Sequence, residues 1–167
     1  MTALNKAVRV QRGQLWGVDF EPQAHKEEPG KRGRPALVIQ TNILNAAGHV
    51  TTIVIPGTTQ VYRDAQGDGY PLRISLGKVG KLKDDTDLQI DQIRTISNWR
   101  LIGDKPISEL SRVHMKRVED ALRVLTGQWS VWVESALANE RQISGQLKRR
   151  FDLISWLFKP NLGPYPM

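Results

Sequence analysis

The stretch from Gly30 to Gln60 constrains the fold more than any other part of the chain. It reads GKRGRPALVIQ, a short polar break, and then HVTTIVIPGTTQ. Its two apolar runs, Ala36–Ile39 and Thr51–Ile55, are short, rich in Val, Ile and Thr, and bounded by turn formers. Both therefore read as strands rather than helices. Arg34 stands where a basic, glycine-bounded loop enters the first strand, and Thr58 where the second strand leaves the core. Strand ends are where a rigid scaffold can hold polar groups toward a ligand, so this pair is the first candidate for function.

The other segments extend the pattern. Gln14–Phe20 reads as an earlier strand, with Leu15, Gly17 and Asp19 on one face and Trp16, Val18 and Phe20 on the other. Residues 21–33 are charged and turn-rich, a long exposed loop of the kind that is commonly functional in a compact domain. Its Lys26, Lys31 and Arg32, with Arg34, form a track suited to phosphates. A second loop covers 62–70. Leu72, Ile74 and Leu76 then alternate with Arg73 and Ser75, as in a half-exposed strand. Asp87–Ile96 reads as the last long strand: Leu88, Ile90, Gln92 and Arg94 share one face, and Gln89, Asp91, Ile93 and Thr95 the other. Ser108 is placed to cap a helix whose apolar face is Leu110, Val113, Val118, Leu122 and Leu125, with Gly127 ending it. A further helical segment covers 130–158 before Pro160 and Gly163 break it. The expected fold is mainly β with C-terminal helices: a small, strongly bent antiparallel sheet or barrel with helices appended.

A chain of 167 residues buries a core without staples and is expected to form one domain. It contains no cysteine, which excludes disulfides and thiolate metal sites. His25, His49 and His114 lie far apart without ligand spacing, so no metal and no cofactor is expected. The opening MTALNKAVRVQRG lacks the apolar segment of a signal peptide and no run approaches a membrane span, so the expected compartment is the cytoplasm, with no membrane partner. A net charge of +7 favours an anionic partner, nucleic acid ahead of an acidic protein or a membrane surface.

Four segments taken together resemble the MazF/PemK/Kid toxins of bacterial toxin–antitoxin systems: RGQLWGVDFEP (12–22), GRPALVIQTN (33–42), TTIVIPGTTQ (51–60) and TDLQIDQIRTI (86–96). The helix beginning SELSRVHMKRVEDAL (108–122) is similar in position and pattern to the family's closing helix. The resemblance implies an SH3-like or CcdB-like barrel over residues 10–127, leaving 128–167 as a helical extension with a proline-rich tail. It also implies a bacterial homodimer whose paired faces form an RNA groove, with a cognate antitoxin as protein partner. The implied activity is a metal-independent, sequence-specific endoribonuclease acting on single-stranded RNA (mRNA). By motif position Arg34 and Thr58 match the family's catalytic arginine and threonine, and Asp91 a carboxylate that some members use. His25 with Glu27 or Glu28 resembles the histidine–glutamate pair of the PemK/Kid branch. Lys26, Lys31, Arg32, Thr59, Gln92 and Arg94 are the candidate RNA contacts. Gln89 departs from the Kid-like pattern, which carries an arginine there. Gly57 replaces a usually apolar residue and is expected to loosen the turn at Thr58.

The chemistry is consistent with these residue types. RNA can be cut through attack of its own 2′-hydroxyl on the adjacent phosphorus, which requires a proton acceptor, a stabiliser for the phosphorane and a donor for the leaving oxygen. A guanidinium donates bidentately to phosphate oxygens, and a threonine hydroxyl can hold the same phosphate in line. Asp91 or His25 is the candidate acceptor. In the alternative, Arg34 solvates a loop and Thr58 is a turn residue whose hydroxyl satisfies its own backbone. Two other functions remain in competition: a silent RNA- or partner-binding barrel, and a gyrase poison like CcdB. The closing Pro-Tyr-Pro-Met lacks the tryptophan tripeptide on which gyrase poisons act. In the extension, Leu147, Phe151, Ile154 and Phe158 share a helical face beside Lys148, Arg149 and Arg150. That face either packs on the barrel or across the dimer, or fills the groove that an antitoxin helix or RNA would use.

Overall fold

The computed structural model describes residues 10–26, 28–61 and 72–128. The expected 62–70 loop, Glu27 and the 130–158 helical segment lie outside the described residues. The chain divides into two units, Met1–Leu125 and Thr126–Met167, and the architecture below is that of the first.

Strand β1 (Gln14–Asp19) pairs antiparallel with β2 (Arg32–Val38), setting Leu15 opposite Leu37, Trp16 opposite Ala36 and Val18 opposite Arg34. A short helix, α1 (Asn42–Ala46), is capped by the Thr41 side chain and returns the chain as β3 (Thr51–Thr58). Val54 of β3 lies against Val38 of β2. Then come β4 (Arg73–Gly77), β5 (Thr86–Gln89), β6 (Arg94–Ser97), and the two-residue strands β7 (Leu101–Ile102) and β8 (Ser108–Glu109). The order is β4-β5-β3-β2-β1-β7, all antiparallel, with β6 also on β3 and β8 also on β1. This is the expected fold class: a curled antiparallel sheet followed by a helix, α2 (Arg112–Leu125).

Alternate residues of a strand point to opposite faces, and here both faces carry core. Leu15, Leu37, Ile55, Leu88 and Ile90 form one cluster with Val118 and Ala121 of α2. Trp16, Val18, Ala36, Val38, Val54 and Ile96 form the other. Burial on both faces explains why β2 and β3 read as continuous apolar runs rather than alternating ones.

Three expectations need correction. Asp87–Ile96 is not one strand: a single 3-10 turn, Ile90–Gln92, separates β5 from β6. Buried Ile90 anchors the turn, and its N–H donates to the Leu72 carbonyl at 2.9 Å. Ser108 does not cap α2, because it is committed to the β8–β1 pairing. The cap is Ser111, whose Oγ accepts from the His114 N–H at 3.3 Å. The buried side of the helix is Val118 and Ala121 with Met115 and Leu122 packed beside them, whereas Val113 is 71% exposed. Val113 lies five residues before Val118, on the far side of a helix with 3.6 residues per turn. Gly127, at φ +70°, follows the last helical residue as expected.

Candidate active site

The register brings the two strand-end residues together. The β2–β3 ladder ends at Ala36 opposite Pro56, since neither Pro35 nor Pro56 has an N–H to extend it. One step on, Pro35 and Gly57 are in close approach: a Cβ on Gly57 would stand 3.1 Å from the Pro35 carbonyl oxygen and 2.9 Å from Thr86 Cγ2. Continued one further step beyond the ladder, the same register would set Arg34 opposite Thr58. Gly57 is thus a buried strand residue without room for a side chain. It does not loosen the turn at Thr58, as had been expected; it lets β2 and β5 close on β3 from both sides.

Thr58 is 5% exposed, and its Oγ1 accepts from the Gln60 N–H at 3.2 Å. The turn role weighed against a catalytic one is therefore present. It uses only the oxygen as acceptor, leaving the hydroxyl proton to be donated toward a ligand. Arg34 is half-buried, and its guanidinium is drawn below the ordinary arginine pKa, first by burial and then by the positive charges of Arg73 and Arg94. A guanidinium remains protonated under these pressures.

Strand parity shows why those arginines are neighbours. Val54, Pro56 and Thr58 point to one face of β3. Asp87 stands opposite Thr58, and Arg94 opposite Val54. Had β5 continued straight into β6, Val54 would have faced Asp91. The three residues of the 3-10 turn shift the register by an odd number, which exchanges the two faces. Arg94 is carried onto the face of Arg34 and Thr58, and Asp91 is left exposed on the turn. The Arg94 Nε is buried and makes no hydrogen bond among the described residues, a donor whose isolation costs about 1–3 kcal/mol until an acceptor arrives. Arg73 lies opposite Gln89 on β5, two residues along from Asp87 and so on the same face. Sequence reasoning had treated Arg73 only as the solvent side of a strand and Asp87 only as a strand start; Asp87 is in fact fully buried.

The remaining candidates sit apart from this cluster. His25 and Lys26 are exposed in the loop between β1 and β2, where Glu28 Oε2 accepts the Ala24 N–H and the Glu28 N–H donates to the His25 carbonyl at 3.1 Å. Arg32 is the first residue of β2, not part of the loop, and its Nε lies 3.8 Å from Asp19 Oδ2. Lys31, at φ +78°, and Thr59 are exposed, and Gln92 is half-buried on the turn. Arg100 donates to the Asp19 and Glu21 carbonyls at 2.9 and 2.7 Å and ties down the base of the loop. Among the described residues no hydrogen bond or ion pair joins His25 or Asp91 to Arg34, and no three His, Cys, Asp or Glu side chains converge as metal ligands. No described helix is long and apolar enough to cross a membrane.

The family model of PemK-like, MazF-like toxins of type II toxin–antitoxin systems matches residues 11–126. The chain belongs to this toxin family. It is 29% identical over 126 residues to Endoribonuclease MazF9 of Mycobacterium tuberculosis, covering 72% of this chain and 99% of that protein. Among solved structures, MazF from Deinococcus radiodurans (Form-I) superposes with a TM-score of 0.53 at 26% identity, over 71% of this chain and 96% of that one. A MazE–MazF structure (Form-II) from the same organism gives 0.51 at 25% identity with the same coverage. The MazF structure shows the same curled antiparallel sheet and C-terminal helix.

Proposed function

We propose that the protein is the endoribonuclease toxin of a toxin–antitoxin module, cutting single-stranded RNA by 2′-hydroxyl attack without a metal. The observation that carries this reading is the convergence of the Arg34, Arg73 and Arg94 charges beside the Thr58 hydroxyl, where two prolines and a glycine end the β2–β3 ladder. Like charges gathered in a half-buried place repel one another, so the cluster is stabilised by an anion. The phosphorane formed during cleavage is more negative than the phosphodiester, and preorganised donors favour it over the ground state. Arg34 donates bidentately to its equatorial oxygens, and Thr58 donates its hydroxyl proton to the same group. The candidate acceptors of the 2′ proton are Asp91 on the 3-10 turn and His25 in the first loop, although both stand apart from the arginine cluster. Loss of the true acceptor costs about 10²–10⁴ in rate.

The MazF9 name and the MazE–MazF structure support the same reading from outside the chain. A cognate antitoxin as protein partner, a homodimer, a cytoplasmic location and a barrel domain ending near residue 127 belong to this proposal, the last supported by the family match ending at residue 126. The test is incubation of the pure protein with a long single-stranded RNA in EDTA. The wild type should cut it, Arg34→Ala should not, and Thr58→Ala should cut it at least about tenfold more slowly. An inert wild type would favour a silent RNA-binding barrel instead.

A further inference from the structure

Of the three guanidiniums, Arg34 takes the scissile phosphate, and Arg73 and Arg94 add charge without an assigned contact. Arg73 reaches the site from β4, across β5, and its partner there is neutral: with the Gln89 amide oxygen turned toward it, Gln89 accepts from Arg73 Nη1 and, at 3.1 Å, from Nη2. A neutral acceptor orients the guanidinium but leaves its charge whole. The one buried carboxylate on this face of the described strands is Asp87, opposite Thr58. Even with the buried Asp87 counted against these arginines, the cluster exceeds the single negative charge of one phosphodiester. Two consecutive phosphates of one strand match it better.

We propose that Arg73 binds the phosphate next to the scissile one, so that the site grips two consecutive phosphodiesters of single-stranded RNA, Arg34 on the reacting group and Arg73 on its neighbour. The placement follows from register: Thr58 and Asp87 stand in one cross-strand row, and Gln89 and Arg73 in the next row of the same face. Successive rows on a face are two residues apart along the strand, and a nucleic-acid strand laid over them meets the arginines one after the other. This inference rests on the endoribonuclease reading for its substrate, but the first arm of its test does not need cleavage.

The test is equilibrium binding of a 2′-O-methyl oligoribonucleotide, which cannot be cut, measured against salt. Arg73→Gln should weaken binding about tenfold, and the slope of log affinity against log salt should fall by about 0.7, the value for one phosphate contact on a single strand. Arg73→Lys should keep the slope, since a point charge suffices for that contact. A second arm leaves the protein unaltered and replaces, in turn, the phosphodiester on each side of the mapped cut by a neutral methylphosphonate. One of the two should weaken wild-type binding about tenfold and add nothing to the loss already caused by Arg73→Gln. An unchanged salt slope in Arg73→Gln, or methylphosphonate losses of equal size in wild type and variant, would overturn the proposal. So would a loss of kcat in Arg73→Gln equal to that in Arg34→Ala with KM unchanged, because Arg73 would then act on the scissile phosphate. A wild type that binds with the stated slope yet cuts no RNA refutes the nuclease reading, while the slope difference still decides Arg73.

Discussion

At Gly57 the closeness of three strands is set by a missing methyl group. Gly57→Ala would push a Cβ into Thr86 Cγ2 and the Pro35 carbonyl. Overpacking of this kind costs about 1–3 kcal/mol, which for a chain of this length lowers Tm by about 2–4 °C per kcal/mol. Thermal unfolding checks it; a variant as stable as wild type would mean that the strands are not held this tightly. The chemistry makes separate demands on Arg34 and Thr58. Arg34→Lys keeps the charge but loses the planar fork, and its kcat should fall about 10². Thr58→Val keeps the shape but loses the hydroxyl donor, and with it the acceptor of the Gln60 N–H, and its rate should fall at least about tenfold. Single-turnover rates distinguish the two. Both residues were legible as strand-end residues because proline and glycine mark those ends in the sequence. Arg73 was not. Its significance depends on standing opposite Gln89, and a pairing between strands separated by a loop leaves no local trace.

The element that most altered the reading is the 3-10 turn Ile90–Gln92. Its three residues look like strand in the sequence, since DLQIDQIRTI alternates plausibly throughout. A one-turn interruption changes no composition, yet it exchanges the faces on either side, bringing Arg94 in and Asp91 out. The anchor is fully buried Ile90. Ile90→Ala should cost about 2–5 kcal/mol and lower cleavage by releasing Arg94 from the site face. Denaturant titration measures the first effect, and cleavage by the fraction still folded measures the second. Helix α2 offers a matched pair. Ser111→Ala should cost about 1 kcal/mol as a lost N-cap, while Val113→Ala, on an exposed face, should stay within about 0.5 kcal/mol. The sequence marked the helix but not its cap or its orientation, because Ser108 and Ser111 are both capping residue types at the start of the apolar periodicity, on either side of Leu110. Only the pairing of Ser108 with β1 decides between them.

Across the whole molecule, burying both faces of one curled sheet sets the division of labour. Helix α2 packs on the first cluster, and the face of the second cluster runs out, at its β2–β3 end, into Arg34, Thr58, Arg73 and Arg94. The fold class and the family were readable because strand order and turn residues are written in sequence order. The net charge of +7 pointed to an anionic partner, but how the arginines were gathered depended on curl and register. The most direct measurement of the central claim is the cleavage rate of a short single-stranded RNA compared with the same strand carrying one 2′-deoxynucleotide at the mapped cut, both in EDTA. Attack by the 2′-hydroxyl predicts a 2′,3′-cyclic phosphate on the upstream product and no cleavage at the deoxy position, with both strands binding alike. Cutting of both strands at equal rates would contradict it.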